Sequence, residues 1–308
     1  MKDLSYINLS LNLEVLAKQI VEGFITGMHK SPYHGFSVEF AEHRLYNTGE
    51  STKHIDWRLY ARTDKFFIKK FQEETNLRCQ LIIDASSSMY YPNFKNPTLH
   101  QPNKLLFSIY ASAVLMNLLK RQRDAIGLSI FSSDVELHTP SRTTQRHHQL
   151  LYHELDKLIN LDAIKNSKNT DTTNAIHKIA EMLNRRSMVV IFTDMISDKE
   201  DLDKQFEAYK HLKYNQHEII LFYLNEPLTE INLDFENKPH KFIDVESGEV
   251  LKLNPVMYKK SYQKRTKSFL DKLKLKCLQY KIDFVDVDIN QGFDQILSSY
   301  LLKRQKMF

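Results

Sequence analysis

Glycine and proline are scarce, with 7 and 8 among 308 residues. That excludes collagen-like and low-complexity architectures and leaves no room for long flexible linkers. Cysteine is scarcer still. Cys79 and Cys277 stand far apart, and neither belongs to a C-x-x-C pair. A thiolate zinc site and a disulfide framework are thereby excluded, and a reducing compartment is expected. Long apolar runs are also missing: the longest, around Ser108 to Leu119, is too short to cross a bilayer. The opening Met-Lys-Asp-Leu-Ser has no signal-peptide pattern, so the expectation is a cytoplasmic chain without a transmembrane segment. G-x-x-x-x-G-K-[ST] and G-x-G-x-x-G are absent, which argues against nucleotide hydrolysis, and G-x-S-x-G is absent, which removes the usual hydrolase elbow. His147, His148 and His153 lack the H-E-x-x-H arrangement of a helical zinc site.

What is present is an ordinary globular balance, 42% apolar and 26% charged, enough for one large packed domain and a smaller appendage. The net charge of +5 is unevenly placed: after Leu251 there are 13 Lys/Arg against 5 Asp/Glu, so the rest of the chain is slightly acidic. A basic end could meet nucleic acid or an acidic partner. However, Tyr262, Thr266, Phe269, Leu270, Leu273 and Cys277 recur at helical spacing, so the lysines read as the solvated side of one amphipathic helix. No nucleic-acid reading motif accompanies them.

Leu13, Leu16, Ala17, Ile20, Val21, Phe24, Ile25 and Met28 line one face of an N-terminal helix that Ser31-Pro32 should end. Residues 1–76 are expected to form a helix-and-strand unit, and residues 77–308 the main domain. There the rhythm becomes strand–helix: strands over Arg78–Asp84, Ala125–Phe131, Val135–Thr139, Ser187–Thr193, Glu218–Leu224 and Ile282–Val287. Helices are predicted over Pro102–Arg121, Gln145–Ile159, Thr172–Asn184, Lys199–His211 and Phe293–Lys303, with a hairpin about Ser247-Gly248 and a long helix after it. Such alternation predicts an α/β fold, a mostly parallel sheet with helices on both faces.

Three loops at carboxyl ends of strands or before helices carry oxygen donors. Leu81-Ile82-Ile83 delivers Asp84-x-Ser86-x-Ser88; Asn169-Thr170-Asp171 precedes a helix; Thr193-Asp194 ends an apolar strand. Ligands of open α/β sheets sit at such ends. Asp84, Ser86, Ser88, Thr170 and Asp194 could form part of an octahedral shell for Mg²⁺ or Mn²⁺, completed by water or by a partner's carboxylate. Each loop taken alone reads as a helix cap before it reads as a metal ligand; three in order on one α/β framework favour the metal. An enzymatic alternative, phosphoryl transfer with Asp84 as nucleophile, lacks the second acid two positions on, because residue 86 is serine.

The order Asp-x-Ser-x-Ser, Thr, Asp resembles the metal-ion-dependent adhesion site of von Willebrand factor A domains. The preceding segment, Glu39-Phe40-Ala41-Glu42-His43-Arg44-Leu45-Tyr46, Gly49-Glu50 and His54-Ile55-Asp56-Trp57-Arg58-Leu59-Tyr60-Ala61-Arg62-Thr63, followed by Lys69-Lys70-Phe71-Gln72-Glu73-Glu74, resembles the signature of the family called "domain of unknown function 58". The resemblance implies a von Willebrand-type Rossmann-like fold, a non-enzymatic adaptor role, and partnership with AAA+ ATPases of the MoxR group. Asn169 stands where relatives commonly have glycine, and asparagine also tolerates the left-handed conformation. Asp56-Trp57-Arg58 reads either as a partner surface or as an anchor built on the only tryptophan.

Overall fold

The computed structural model describes residues 13–29, 43–45, 57–69, 77–160, 172–195, 202–244 and 248–307. It divides into two compact units, Met1–Gly23 with Leu77–Phe308, and Phe24–Asn76. In the smaller unit, strand β1 (His43–Leu45) pairs antiparallel with β2 (Phe67–Lys69), His43 opposite Lys69. Helix α2 (Trp57–Thr63) lies between them in sequence and ends at Asp64, whose φ is 55°. Tyr60 stacks on Phe66 with ring centroids 4.4 Å apart. Asp56 lies outside the described residues, and of Trp57 and Arg58 only the backbone of α2 is described.

The larger unit is an α/β sandwich. Its six-stranded sheet is built from β3 (Arg78–Asp84), β4 (Ala125–Phe131), β5 (Val135–Arg142), β6 (Met188–Thr193), β7 (Glu218–Asn225) and β10 (Asp283–Asp288). The order is β10-β7-β6-β3-β4-β5, all parallel except β5. The near-continuous apolar runs of β3, β4, β6 and β7 are buried on both faces, as parallel strands under helices must be. Gln80 is a polar exception inside the sheet. Its amide donates to Ser129 Oγ at 2.9 Å, and it occupies the space over Gly127 so tightly that a Cβ there would stand 2.1 Å from Gln80 Oε1.

Helices α3 (Lys104–Arg121), α4 (Gln145–Asn160), α5 (Thr172–Met182), α6 (Leu202–Tyr214), α7 (Pro255–Gln279) and α8 (Asp294–Met307) cover the sheet. Leu105, Leu106, Ile109, Ala113, Met116 and Leu119 recur at helical spacing along one side of α3, yet every residue from Lys104 to Leu119 is buried. Its outer side is covered by α4 and by the start of α1 (Leu13–His29), whose Leu13, Leu16, Ala17 and Val21 are buried and whose Glu14 pairs with Lys120 at 2.7 Å. The hairpin β8 (His240–Ile243) and β9 (Val250–Leu253) follows β7. Between β7 and the hairpin, Pro227–Ile231 forms a π-helical turn that the sequence pattern did not announce.

The descents from α3, α6 and α7 into the next strand share one device. Arg123, Gln216 and Lys281 take φ of 58°, 63° and 55°. The following amide in each case reaches back five residues: Asp124 N–H to Leu119 O, His217 N–H to Leu212 O, and Ile282 N–H to Cys277 O. That is the usual left-handed helix ending, here made without glycine.

Candidate divalent-cation site

Neighbouring parallel strands set the site. Ile83 of β3 stands opposite Phe192 of β6, so their next residues, Asp84 and Thr193, emerge together at the carboxyl end of the sheet. Asp84 Oδ1 accepts the Ser86 N–H at 2.9 Å, and Oδ2 accepts the Thr193 hydroxyl at 2.7 Å. The carboxylate thus shapes its own loop and ties it to the adjacent strand. Ser86 is the N-cap residue of a 3-10 turn over Ser87–Tyr90, yet its side chain makes no capping bond. Its hydroxyl instead lies 3.2 Å from Ser88 Oγ, and Ser88 Oγ donates to Asp194 Oδ1 at 3.1 Å. Asp84, Ser86, Ser88, Thr193 and Asp194 are all buried.

The other oxygen of Asp194 is held from below. Lys104, the first residue of α3, places Nζ 2.8 Å from Asp194 Oδ2 and 2.6 Å from Glu230 Oε1, with no exposed side-chain surface. Glu230 belongs to the π-helical turn, and its Oε2 accepts the Glu226 N–H at 2.8 Å. A second chain of contacts closes the same rim: the Tyr91 hydroxyl donates to Thr229 Oγ1, which donates to Glu226 Oε2, each at 2.5 Å.

Electrostatics follow from that burial. Loss of water, then the nearby charge of Asp194, pushes the Asp84 carboxyl up to about 6 against the hydrogen bonds from Ser86 and Thr193. Burial alone would lower the Lys104 ammonium, but Asp194 and Glu230 outweigh it and hold Lys104 above its ordinary value. Burial also raises the Glu230 carboxyl, in opposition to the attraction of Lys104.

Four of the five expected ligand residues, Asp84, Ser86, Ser88 and Asp194, therefore come together. Thr170, with Asn169 and Asp171, lies outside the described residues. Sequence reasoning missed Thr193 as the tie on Asp84, and it missed Lys104 and Glu230 altogether. Lys104 did carry a signal: a cation in the first turn, ahead of Leu105-Leu106-Phe107, stands where the helix dipole favours an anion. Among the described residues, no group of three or more His, Cys, Asp or Glu could hold a metal ion. The set gathered here consists of hydroxyls and two carboxylates, donors for a hard cation. His147, by contrast, places Nε2 against Ile126 O at 2.9 Å.

The family model described as "Protein of unknown function DUF58" matches residues 42–268. The chain belongs to the DUF58 family. An uncharacterised protein of Mycobacterium bovis and one of Mycobacterium tuberculosis are each 24% identical over 184 residues, 60% of this chain and 55% of theirs. The chain thus spans about half the length of the curated relatives it matches. Among solved structures, the conserved hypothetical protein BatB of Bacteroides thetaiotaomicron superposes with TM-score 0.44 at 16% identity, covering 75% of this chain and 99% of that one. The SpRpn10 VWA domain gives 0.38 at 11%, covering 73% and 95%. The family is the one that the Asp-Trp-Arg segment resembles. Among the described residues, no helix is long and apolar enough to cross a membrane.

Proposed function

We propose that this DUF58 protein is a non-enzymatic interaction module that captures an Asp or Glu side chain of a partner protein through Mg²⁺ or Mn²⁺. Asp84, Ser86, Ser88, Thr170 and Asp194 are the residues assigned to hold the cation. One observation carries the reading. Ser86 Oγ, Ser88 Oγ and Asp194 Oδ1 succeed one another at 3.2 and 3.1 Å, and adjacent oxygens around a magnesium ion lie about 3 Å apart. The freedom of Ser86 from capping supports it, because the competing account of these hydroxyls was that they cap the next turn. When bound, the cation would supply an electrophilic centre with few charged protein ligands, to which an incoming carboxylate binds. Ser86 and Ser88 would face it as neutral donors, while Thr193 and the Ser86 amide keep Asp84 aligned. By family association, the partner is a MoxR-type AAA+ ATPase or a client that it remodels, and the setting is the cytoplasm.

Calorimetric titration of Mg²⁺ and Mn²⁺ tests this reading. Saturable one-site binding is expected in the parent and not in Asp84→Ala, with the fold retained by circular dichroism. Equal heats in the two proteins would overturn the assignment. Turnover of p-nitrophenyl phosphate that disappears in Asp84→Asn would replace it with phosphoryl transfer.

A further inference from the structure

The six-stranded sheet ends in an edge that the cation reading does not use. Among the described residues, β10 has one strand neighbour, β7. Ile289 N–H donates to Asn225 O at 3.2 Å, and a parallel strand gives the N–H and C=O of alternate residues to the same side. Counting back from Ile289, Val287 and Val285 face β7, whereas Phe284 and Asp286 turn both groups outward, where no described group bonds them. That edge opens into a cavity of about 560 Å³ lined from α7, β10 and α8. Exposed Leu278 of α7 stands on one wall and exposed Leu302 of α8 on the other, with Phe284 and Val285 between them. Successive β10 side chains turn to different helices: Lys274 of α7 lies over the Phe284 ring, while Lys303 of α8 pairs with Asp283 at 2.6 Å.

We propose that this edge takes an extended segment of a partner protein as a seventh strand, about six residues long to match β10, with uncharged, mainly apolar side chains along it. The outward N–H and C=O groups of Phe284 and Asp286 supply the ladder. Side chains of the added strand alternate between the α7 and α8 walls, as those of β10 do, and each wall offers a leucine. The charged rim is nearly balanced, Lys274, Lys303 and Lys306 against Asp283 and Asp286, so a segment without net charge fits it. A second copy of this chain fits it poorly. Two copies joined at β10 about a two-fold axis run antiparallel, which sets Asp283, Asp286 and Asp288 among their own counterparts, and like charges across a strand pair are destabilising.

The experiment pans random peptides displayed on phage against the full chain and measures a recovered peptide, fluorescently labelled, by anisotropy. The expected peptide is uncharged and largely apolar, and it binds alike with and without EDTA and to Asp84→Ala, which separates this surface from the cation site. Asp286→Pro removes an outward N–H and sets a ring in the path of the added strand, while the ladder to β7 stays whole. It should weaken binding at least roughly tenfold, whereas Asp286→Ala, which keeps the N–H, should change it less than about threefold. Circular dichroism reports folding. If Asp286→Pro does not fold, Leu278→Lys on the exposed wall takes its place, together with hydrogen exchange in the parent, where the Phe284 and Asp286 amides should slow when the peptide binds. Recovery of no peptide, equal loss in the alanine and proline variants, or unchanged exchange at these two amides overturns the proposal. So does a dimer in sedimentation that Asp286→Pro abolishes, which would make the occupant a second copy. Slow exchange at both amides in the dilute, peptide-free monomer would show that the chain covers its own edge, and overturns it equally.

Discussion

Asp84 carries the sharpest consequence of burial. Its carboxyl titrates at about 6 in the folded protein against an ordinary 3.8. A raised acid makes the native state hold its proton longer than the unfolded chain does. The sign is therefore a penalty: absent below about pH 4, growing as pH rises to about 6, and constant above that, on the order of 3 kcal/mol. In Asp84→Asn the amide can still accept from Ser86 and turn its NH₂ to Thr193 Oγ1. That variant is expected to be more stable than the parent at neutral pH in urea titrations, with the difference vanishing near pH 4. A divalent cation should narrow the gap at neutral pH by stabilising the parent alone. Gly127 makes a second prediction at this scale. Alanine there meets Gln80 Oε1 and the Thr139 carbonyl, which its Cβ would approach to 2.7 Å. Gly127→Ala should cost about 1–3 kcal/mol, the usual penalty for overfilling a packed interior, read as a lower urea midpoint with unchanged slope.

The elements of the larger unit were legible in the sequence because their patterns are strong. The apolar runs ending at Asp84 and Thr193 could belong only to covered strands, and Asn103 before Lys104 caps α3 by accepting the Leu106 N–H at 2.8 Å. Two features were not legible. The π-helical turn at Pro227–Ile231 is set by Glu226, Thr229 and Glu230 bonding one another within four residues and by Glu230 bonding Lys104 across 126 residues, and neither leaves a hydrophobic period. The all-round burial of α3 depends on α4 and the start of α1 covering a side that periodicity leaves open. Polar residues are trapped there as a result. Ser108 returns its hydroxyl to the Lys104 carbonyl at 2.8 Å, whereas the buried Ser112 hydroxyl has no partner among the described residues. Ser112→Ala removes that orphan and improves helix propensity, so it should raise stability by about 1 kcal/mol in thermal unfolding.

For the whole molecule, the charge asymmetry seen in the sequence lies on α7, where Lys260, Lys264, Lys267 and Lys272 are exposed while Leu270, Leu273 and Cys277 are buried. Helical spacing had already separated these two sets. Fluorescence anisotropy with duplex DNA is expected to show only weak, sequence-independent association that moderate salt abolishes; salt-resistant, sequence-selective binding would contradict the protein-interaction reading. The cavity of about 560 Å³ beside β10, bounded by Cys277, Phe284, Leu302 and Lys303, includes none of the candidate cation residues, so this hollow does not mark the carboxyl end of the sheet. The site was legible instead through residue types: Asp-x-Ser-x-Ser survives as a local word, while Lys104 belongs to it only in three dimensions. The shortage of glycine has a thermal consequence as well. Arg123, Gln216 and Lys281 hold a left-handed backbone that costs an L-residue about 1–2 kcal/mol; Gln216 also accepts from Arg186 Nε at 2.9 Å, whereas the bend at Lys281 is closed by the backbone amides of Lys281 and Ile282. Replacing Lys281 with glycine, even after the added freedom of the unfolded chain is counted, should move the melting temperature upward by about a degree. The αβ corner after α7 is therefore held below the heat tolerance that its own topology would permit.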